Sequence, residues 1–93
     1  MVSKKVIYKG RVQGVGFRYT CCQLARHAQV VGWVRNLPDG QVELAVRGQQ
    51  FEVSSLLASI RTHERLSGYI RDEVEEPVLE SEFDQMEDFS IRR

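Results

Sequence analysis

A chain of 93 residues with 42% hydrophobic and 28% charged content has room for one domain, 1–93, around a modest core. Thirteen basic residues balance thirteen acidic ones, yet residues 1–48 hold eight basic and two acidic while residues 49–93 hold five and eleven. Such a chain lacks the net basic face that nucleic acid demands, has no apolar run of membrane-spanning length, and starts with Met1-Val2-Ser3-Lys4-Lys5, without the apolar core of a signal peptide.

The elements follow in order. Lys4 to Val12 reads as a strand, with Val6 and Tyr8 on one face and Ile7 and Lys9 on the other. A glycine-rich stretch, Gly10-Arg11-Val12-Gln13-Gly14-Val15-Gly16-Phe17-Arg18, leads into a helix from about Arg18 to Gln29. Phe17, Cys21, Leu24 and Ala28 form its apolar stripe. Val30 to Asn36 is a second strand. Leu37-Pro38-Asp39-Gly40 then reads as a type I turn with Gly40 left-handed in a bulge, a hairpin signal. The third strand, Gln41 to Arg47, places Val42, Leu44 and Val46 inward and Gln41, Glu43, Ala45 and Arg47 outward. A helix from Gln50 to Thr62 buries Val53, Leu56, Leu57 and Ile60. The fourth strand, Tyr69 to Glu76, has Asp72 between Ile70 and Val74, which points to an edge or a bulge. Glu80 to Asp88 reads as a solvated acidic loop, and Phe89 to Arg92 as a short final strand.

The order β-α-β-β-α-β is that of a ferredoxin-like α+β sandwich, an antiparallel sheet with two helices on one face and a short C-terminal extra strand. The first and second strands then run parallel with the third between them. The loop after the first strand and the end of the second share one sheet edge, about 9–10 Å apart by two strand spacings. Arg18 and Asn36 can converge across that gap.

The glycine-rich junction can curl tightly and turn several N–H groups inward. The following helix aims its positive dipole end at the same hollow, and Arg18 adds a planar fork of donors. The main-chain groups of Gln13, Gly14, Val15, Gly16 and Phe17, with Arg18, thus form a candidate cradle for a small, doubly charged anion. A plain strand–turn–helix is the competing reading. Nucleotide fingerprints do not fit: no Lys-Ser/Thr closes the loop, and a Gly-x-Gly-x-x-Gly register from Gly14 would place its third glycine at Tyr19. Cys21 and Cys22, about 100° apart on a helix, cannot bridge and read as packing residues. No Cys-x-x-Cys occurs, and His27 and His63 lack partners at ligand spacing, so neither metal nor cofactor is expected.

Asn36 either satisfies turn backbone or orients a water beside a bound phosphoryl group through its donor and acceptor. The cradle and Asn36 include no acid, nucleophile or metal ligand, so the reaction must need little help. Phosphoryl transfer relies on positioning and charge neutralisation. An acyl phosphate expels a carboxylate whose conjugate acid has a pKa of about 4, so it departs unprotonated. A phosphate ester expels a far more basic alkoxide.

Gly10-Arg-Val-Gln-Gly-Val-Gly-Phe-Arg18, together with Gly32-Trp-Val-Arg-Asn-Leu-Pro-Asp-Gly-Gln-Val-Glu43 and the closing Asp88-Phe-Ser-Ile-Arg92, resembles the acylphosphatase family over nearly the whole chain. The resemblance implies hydrolysis of the carboxyl–phosphate bond without metal or covalent intermediate. It implies phosphate binding by Arg18 and the amides of Gln13 to Phe17, and orientation of the attacking water by Asn36. The expected small molecules are an acyl phosphate and inorganic phosphate, the latter as product and inhibitor. A cytoplasmic monomer that binds neither nucleic acid nor membrane is expected. Two rivals remain. One is a non-hydrolytic anion-binding module, as acylphosphatase-like domains also occur inside hydrogenase-maturation carbamoyltransferases. The other is an RNA-binding ferredoxin-like fold, for which only Tyr8 offers an aromatic on the first strand and the third strand offers none.

Overall fold

The computed structural model describes all of residues 1–93. Its elements are β1 (Val2–Gly10), α1 (Phe17–Ala25), β2 (Val30–Asn36), β3 (Val42–Gly48), α2 (Gln50–Thr62), β4 (Ile70–Glu76), a 3-10 turn (Glu80–Phe83) and β5 (Phe89–Ile91). The sheet order is β4-β1-β3-β2-β5. The ferredoxin-like arrangement therefore holds, with β3 antiparallel between β1 and β2. The sheet is mixed rather than wholly antiparallel, because β5 runs parallel to β2.

The main core lies between one sheet face and the two helices. Val6 and Tyr8 of β1, Val34 of β2 and Val42, Leu44 and Val46 of β3 meet Phe17, Cys21 and Ala25 of α1 and Val53, Leu56, Leu57 and Ile60 of α2. Tyr8 is fully buried against the Phe17 ring, with centroids 5.0 Å apart, and so offers no surface to RNA. The hairpin turn forms as its residues require: the Gly40 N–H donates to Leu37 O, and Gly40 has φ 92°.

Four departures from the sequence reading have physical causes. Strand β1 stops at Gly10 because the β1–β4 register shifts between Lys9 and Gly10; Val12 is buried, but in the loop. The same shift explains the broken alternation of β4. Ile70 turns to the main core while Val74 pairs with Ile7 on the opposite face. Helix α1 ends at Ala25, since the N–H groups of His27 and Ala28 reach only three residues back. Thr20 and Ala25, not Ala28, complete its buried side.

The fourth departure is the largest. Glu43 and Ala45 are not outward: both are buried. The stretch Glu80–Asp88 is not a free acidic loop either. Phe83 inserts beneath it and packs with Trp33 and Ala45, assisted by Val31, Val78 and Met86. The Phe83 and Trp33 rings lie 5.3 Å apart. Beside them, the Trp33 Nε1–H and the Arg35 Nε–H each donate to Glu43 Oε2 at 2.8 Å. Burial pushes the Glu43 carboxyl up, but the bonds from Trp33 and Arg35 and the charges of Arg35 and Lys5 outweigh it and hold the group below its ordinary value. The C-terminal segment is thus a strap across the second sheet face, pinned by the Gly32 N–H to Asp88 O and the Arg92 N–H to Val34 O. The Arg92 guanidinium sits 3.9 Å over the Trp33 ring.

Candidate functional site

At the sheet edge where β1 hands over to α1, a hollow of about 150 Å³ is lined by Val12, Gly14, Gly16, Phe17, Arg18, Tyr19, Asn36 and Ile91. The topology explains the meeting. Asn36 is the last residue of β2, paired with Val42, and shares the helix-facing side with Val34, two residues earlier. Arg18 belongs to the first turn of α1. Ile91 comes from β5, which pairs with β2.

Gly14 and Gly16 both have φ 78°. A Cβ would meet nothing within 4 Å at either position, so the loop needs glycine there for its left-handed backbone rather than for space. Gly16 is the N-cap of α1, and its carbonyl accepts the first helical bond, from the Thr20 N–H at 3.0 Å. None of the main-chain N–H groups from Gln13 to Tyr19 donates a hydrogen bond within the protein. Those of Phe17, Arg18 and Tyr19 point out of the helix N-terminus by the geometry of an α-helix. The first turn of α1 holds no acidic residue. Its one charge is Arg18, which forms no ion pair and no hydrogen bond. A cation beside the positive end of a helix dipole is locally unfavourable. Together with the free amides, it makes a strongly anion-seeking corner.

Of the residues singled out from sequence, the hollow brings together Gly14, Gly16, Phe17, Arg18 and Asn36. The Asn36 carboxamide forms no hydrogen bond within the protein, so it does not satisfy the turn; that task falls to the Asp39 carboxylate, which accepts from the Gln41 N–H at 3.0 Å. Val15 is half-buried against the main core. The Gln13 side chain turns away to the hairpin, where its Nε2 donates to Leu37 O and Gln41 O, both at 2.8 Å. Tyr19 and Ile91 also line the hollow and were not picked out from sequence; nothing local marks Ile91, whose place depends on β5 pairing. Tyr19 is 58% exposed, and its hydroxyl accepts from Gln23 Nε2.

The cysteines take no part in the hollow. Cys21 is buried in the main core and burial pushes its thiol far up; Cys22 is half-buried, and burial raises it too. No three His, Cys, Asp or Glu side chains come together as a metal-binding group, and no helix is long and apolar enough to cross a membrane.

The sequence model of the acylphosphatase family matches residues 4–91. An acylphosphatase of Bacillus pumilus is 39% identical over 92 residues, covering 99% of each chain. One from Acaryochloris marina is 44% identical over 57 residues, so the matched stretch spans 61% of that relative's length. The crystal structure of acylphosphatase from Bacillus subtilis superposes with a TM-score of 0.72 at 30% identity, over 100% of both chains.

Proposed function

The chain belongs to the acylphosphatase family, and from that membership we propose that it hydrolyses the carboxyl–phosphate bond of acyl phosphates at the hollow between α1 and the end of β2. The observation that carries the reading is the run of unpaired amides from Gln13 to Tyr19 beside an unpaired Arg18, facing an unpaired Asn36. Seven residues without a partner in the protein for their N–H groups, and one free guanidinium, leave donors preorganised for an oxyanion.

In this reading the dianionic phosphoryl group sits in the loop, its oxygens accepting from the amides of Gln13 to Phe17 and from the Arg18 guanidinium. The Asn36 carboxamide holds a water behind the phosphorus, opposite the acyl oxygen. The water oxygen bonds to phosphorus as the bond from phosphorus to the acyl oxygen breaks. The electron pair leaves on the carboxylate, and a proton of the water passes to a phosphoryl oxygen. The products are a carboxylate and dihydrogen phosphate, and the charge of minus two is conserved. No side chain acts as acid or base, because the leaving carboxylate needs no proton. No step calls for a metal. Only the phosphoryl end is enclosed, so the acyl portion is loosely specified. One copy of the chain supplies every group, and the enzyme works as a monomer.

The test is phosphate release from benzoyl phosphate by the purified protein, with and without a chelator. Steady turnover that is unchanged by the chelator and inhibited by inorganic phosphate is the expected result. Phosphate binding without turnover would instead mark a non-hydrolytic anion-binding module, and loss of turnover on chelation would mark a metal step.

A further inference from the structure

The loop that carries the free amides and the hairpin that carries Asn36 are different parts of the chain, and the backbone does not join them. Between Arg11–Gly16 and Asn36–Val42 there is no backbone–backbone hydrogen bond. Beside core packing of Val12 with Val42, the hydrogen bonds that span the two segments are the two from one carboxamide: Gln13 Nε2 donates to Leu37 O and to Gln41 O, each at 2.8 Å. Both distances are at the short end for N–H···O bonds. Both hydrogens of the amide nitrogen are used, which leaves no rotational slack in that group.

The acceptors are well chosen. Leu37 directly follows Asn36, and Gln41 directly precedes Val42, the partner of Asn36 across the hairpin. The Leu37 N–H itself donates to Gln41 O at 2.9 Å, and the Gly40 N–H to Leu37 O. Gln13 therefore grips both strands of the hairpin at the rung next to Asn36. Its other end is covalently part of the cradle.

We infer that Gln13 is a positioning residue. Its side chain sets the distance between the phosphate cradle and Asn36, so that the bound phosphorus and the water held by Asn36 share one register. The inference rests on the hydrolytic reading above and adds to it a role separate from the Gln13 main-chain amide. The amides and Arg18 belong to one continuous segment and grip phosphate without the hairpin; water placement needs both sides. Releasing the clamp should therefore lower turnover while leaving phosphate binding nearly intact.

The test is a cycle of Gln13→Ala, Asn36→Ala and the double variant, read as kcat and as the inhibition constant for phosphate. Gln13→Ala is expected to lower kcat by about 10- to 100-fold, the scale of a misplacement near 1 Å, and to change the phosphate constant by less than about threefold. In the Asn36→Ala background, Gln13→Ala should cost almost nothing further in kcat, because residues acting through one another are not additive. A merely structural role would multiply the two losses, and that result would overturn the clamp. If Asn36→Ala keeps full turnover, the hydrolytic reading of Asn36 fails instead. A readout that does not need turnover is the Asn36 side-chain amide in an NMR titration with inorganic phosphate: it should shift in the wild type and not in Gln13→Ala. Equal shifts in both would also overturn the clamp. Should Gln13→Ala not fold, Gln13→Asn, one methylene too short to hold both carbonyls, supplies the same readouts.

Discussion

Arg18→Ala should make the protein more stable without phosphate and leave it less able to gain stability from phosphate. In the free protein Arg18 touches no acid and accepts no constraint from a partner, and it stands in a first helical turn without acidic residues. Removing a charge of the wrong sign from a helix N-terminus gains about 0.3–1 kcal/mol. For a domain of this size that raises the melting temperature by about 1–8 °C. Phosphate reverses the ranking. At a free concentration of about 100 times its dissociation constant, phosphate stabilises the wild type by about 2.7 kcal/mol. Loss of even one charged bond from Arg18, worth about 1.5–3 kcal/mol, weakens binding about 10- to 150-fold. The same phosphate then stabilises the variant by only about 0.3–1.4 kcal/mol. Thermal unfolding in a phosphate-free buffer and again with phosphate reads both effects from one pair of curves. A variant that melts below the wild type without phosphate, yet gains as much from phosphate, would refute the placement of the anion at this corner.

Asn36→Ala should lower kcat about 10²- to 10³-fold, the usual cost of removing one preorganised polar group, while phosphate inhibits as before; turnover within a few-fold of wild type would remove Asn36 from the reaction. Phe83→Ala empties the space over Trp33 and Ala45. It should cost about 3 kcal/mol, the low end for buried Phe because a surface strap can settle, measured by urea unfolding; a loss below about 1 kcal/mol would mean the strap contributes little. Glu43→Gln should flatten the acid side of the stability profile. The folded carboxyl lies below its ordinary value, so its contribution is present above the unfolded pKa of about 4.3 and is lost as pH falls through the folded value. Melting temperatures of both proteins from pH 6 to pH 3 should therefore converge on the acid side, and parallel curves would count against the buried pairing.

Much of the lining of the hollow, the candidate site, was legible because its signals are local. Two glycines before a helix, an arginine in the first turn and an asparagine before Pro-Asp-Gly each state a backbone need at the position where it arises. The place of β3 between β1 and β2 followed from the hairpin turn and the right-handed crossover. What stayed hidden is what depends on the second sheet face. Alternation along β3 compares only neighbours within the strand, so Glu43 and Ala45 looked solvent-facing although both are covered. The cover itself was masked by composition: Phe83 stands among Glu80, Glu82, Asp84, Glu87 and Asp88, and their charge hides the one ring that is buried. A glutamine in a loop gives no sign of where its side chain goes, and the Gln13 clamp is visible only in three dimensions.

The local choices that look worst for stability gather at one place. Left-handed glycines, a run of amides without protein partners and a cation at a helix N-terminus contribute little to stability or oppose it, and the hollow has all of them. Main-chain donors have no rotamers to lose, so a curled loop is preorganised in a way that long side chains are not. The cost then moves to whatever holds the loop still. Here that is the central sheet beneath, the strap that brings Ile91 to the rim, and two hydrogen bonds from Gln13. A reaction whose leaving group needs no proton asks for little more than this. On the proposed reading, a small domain with a modest core supplies the catalysis through geometry, provided that the cradle and Asn36 keep their distance.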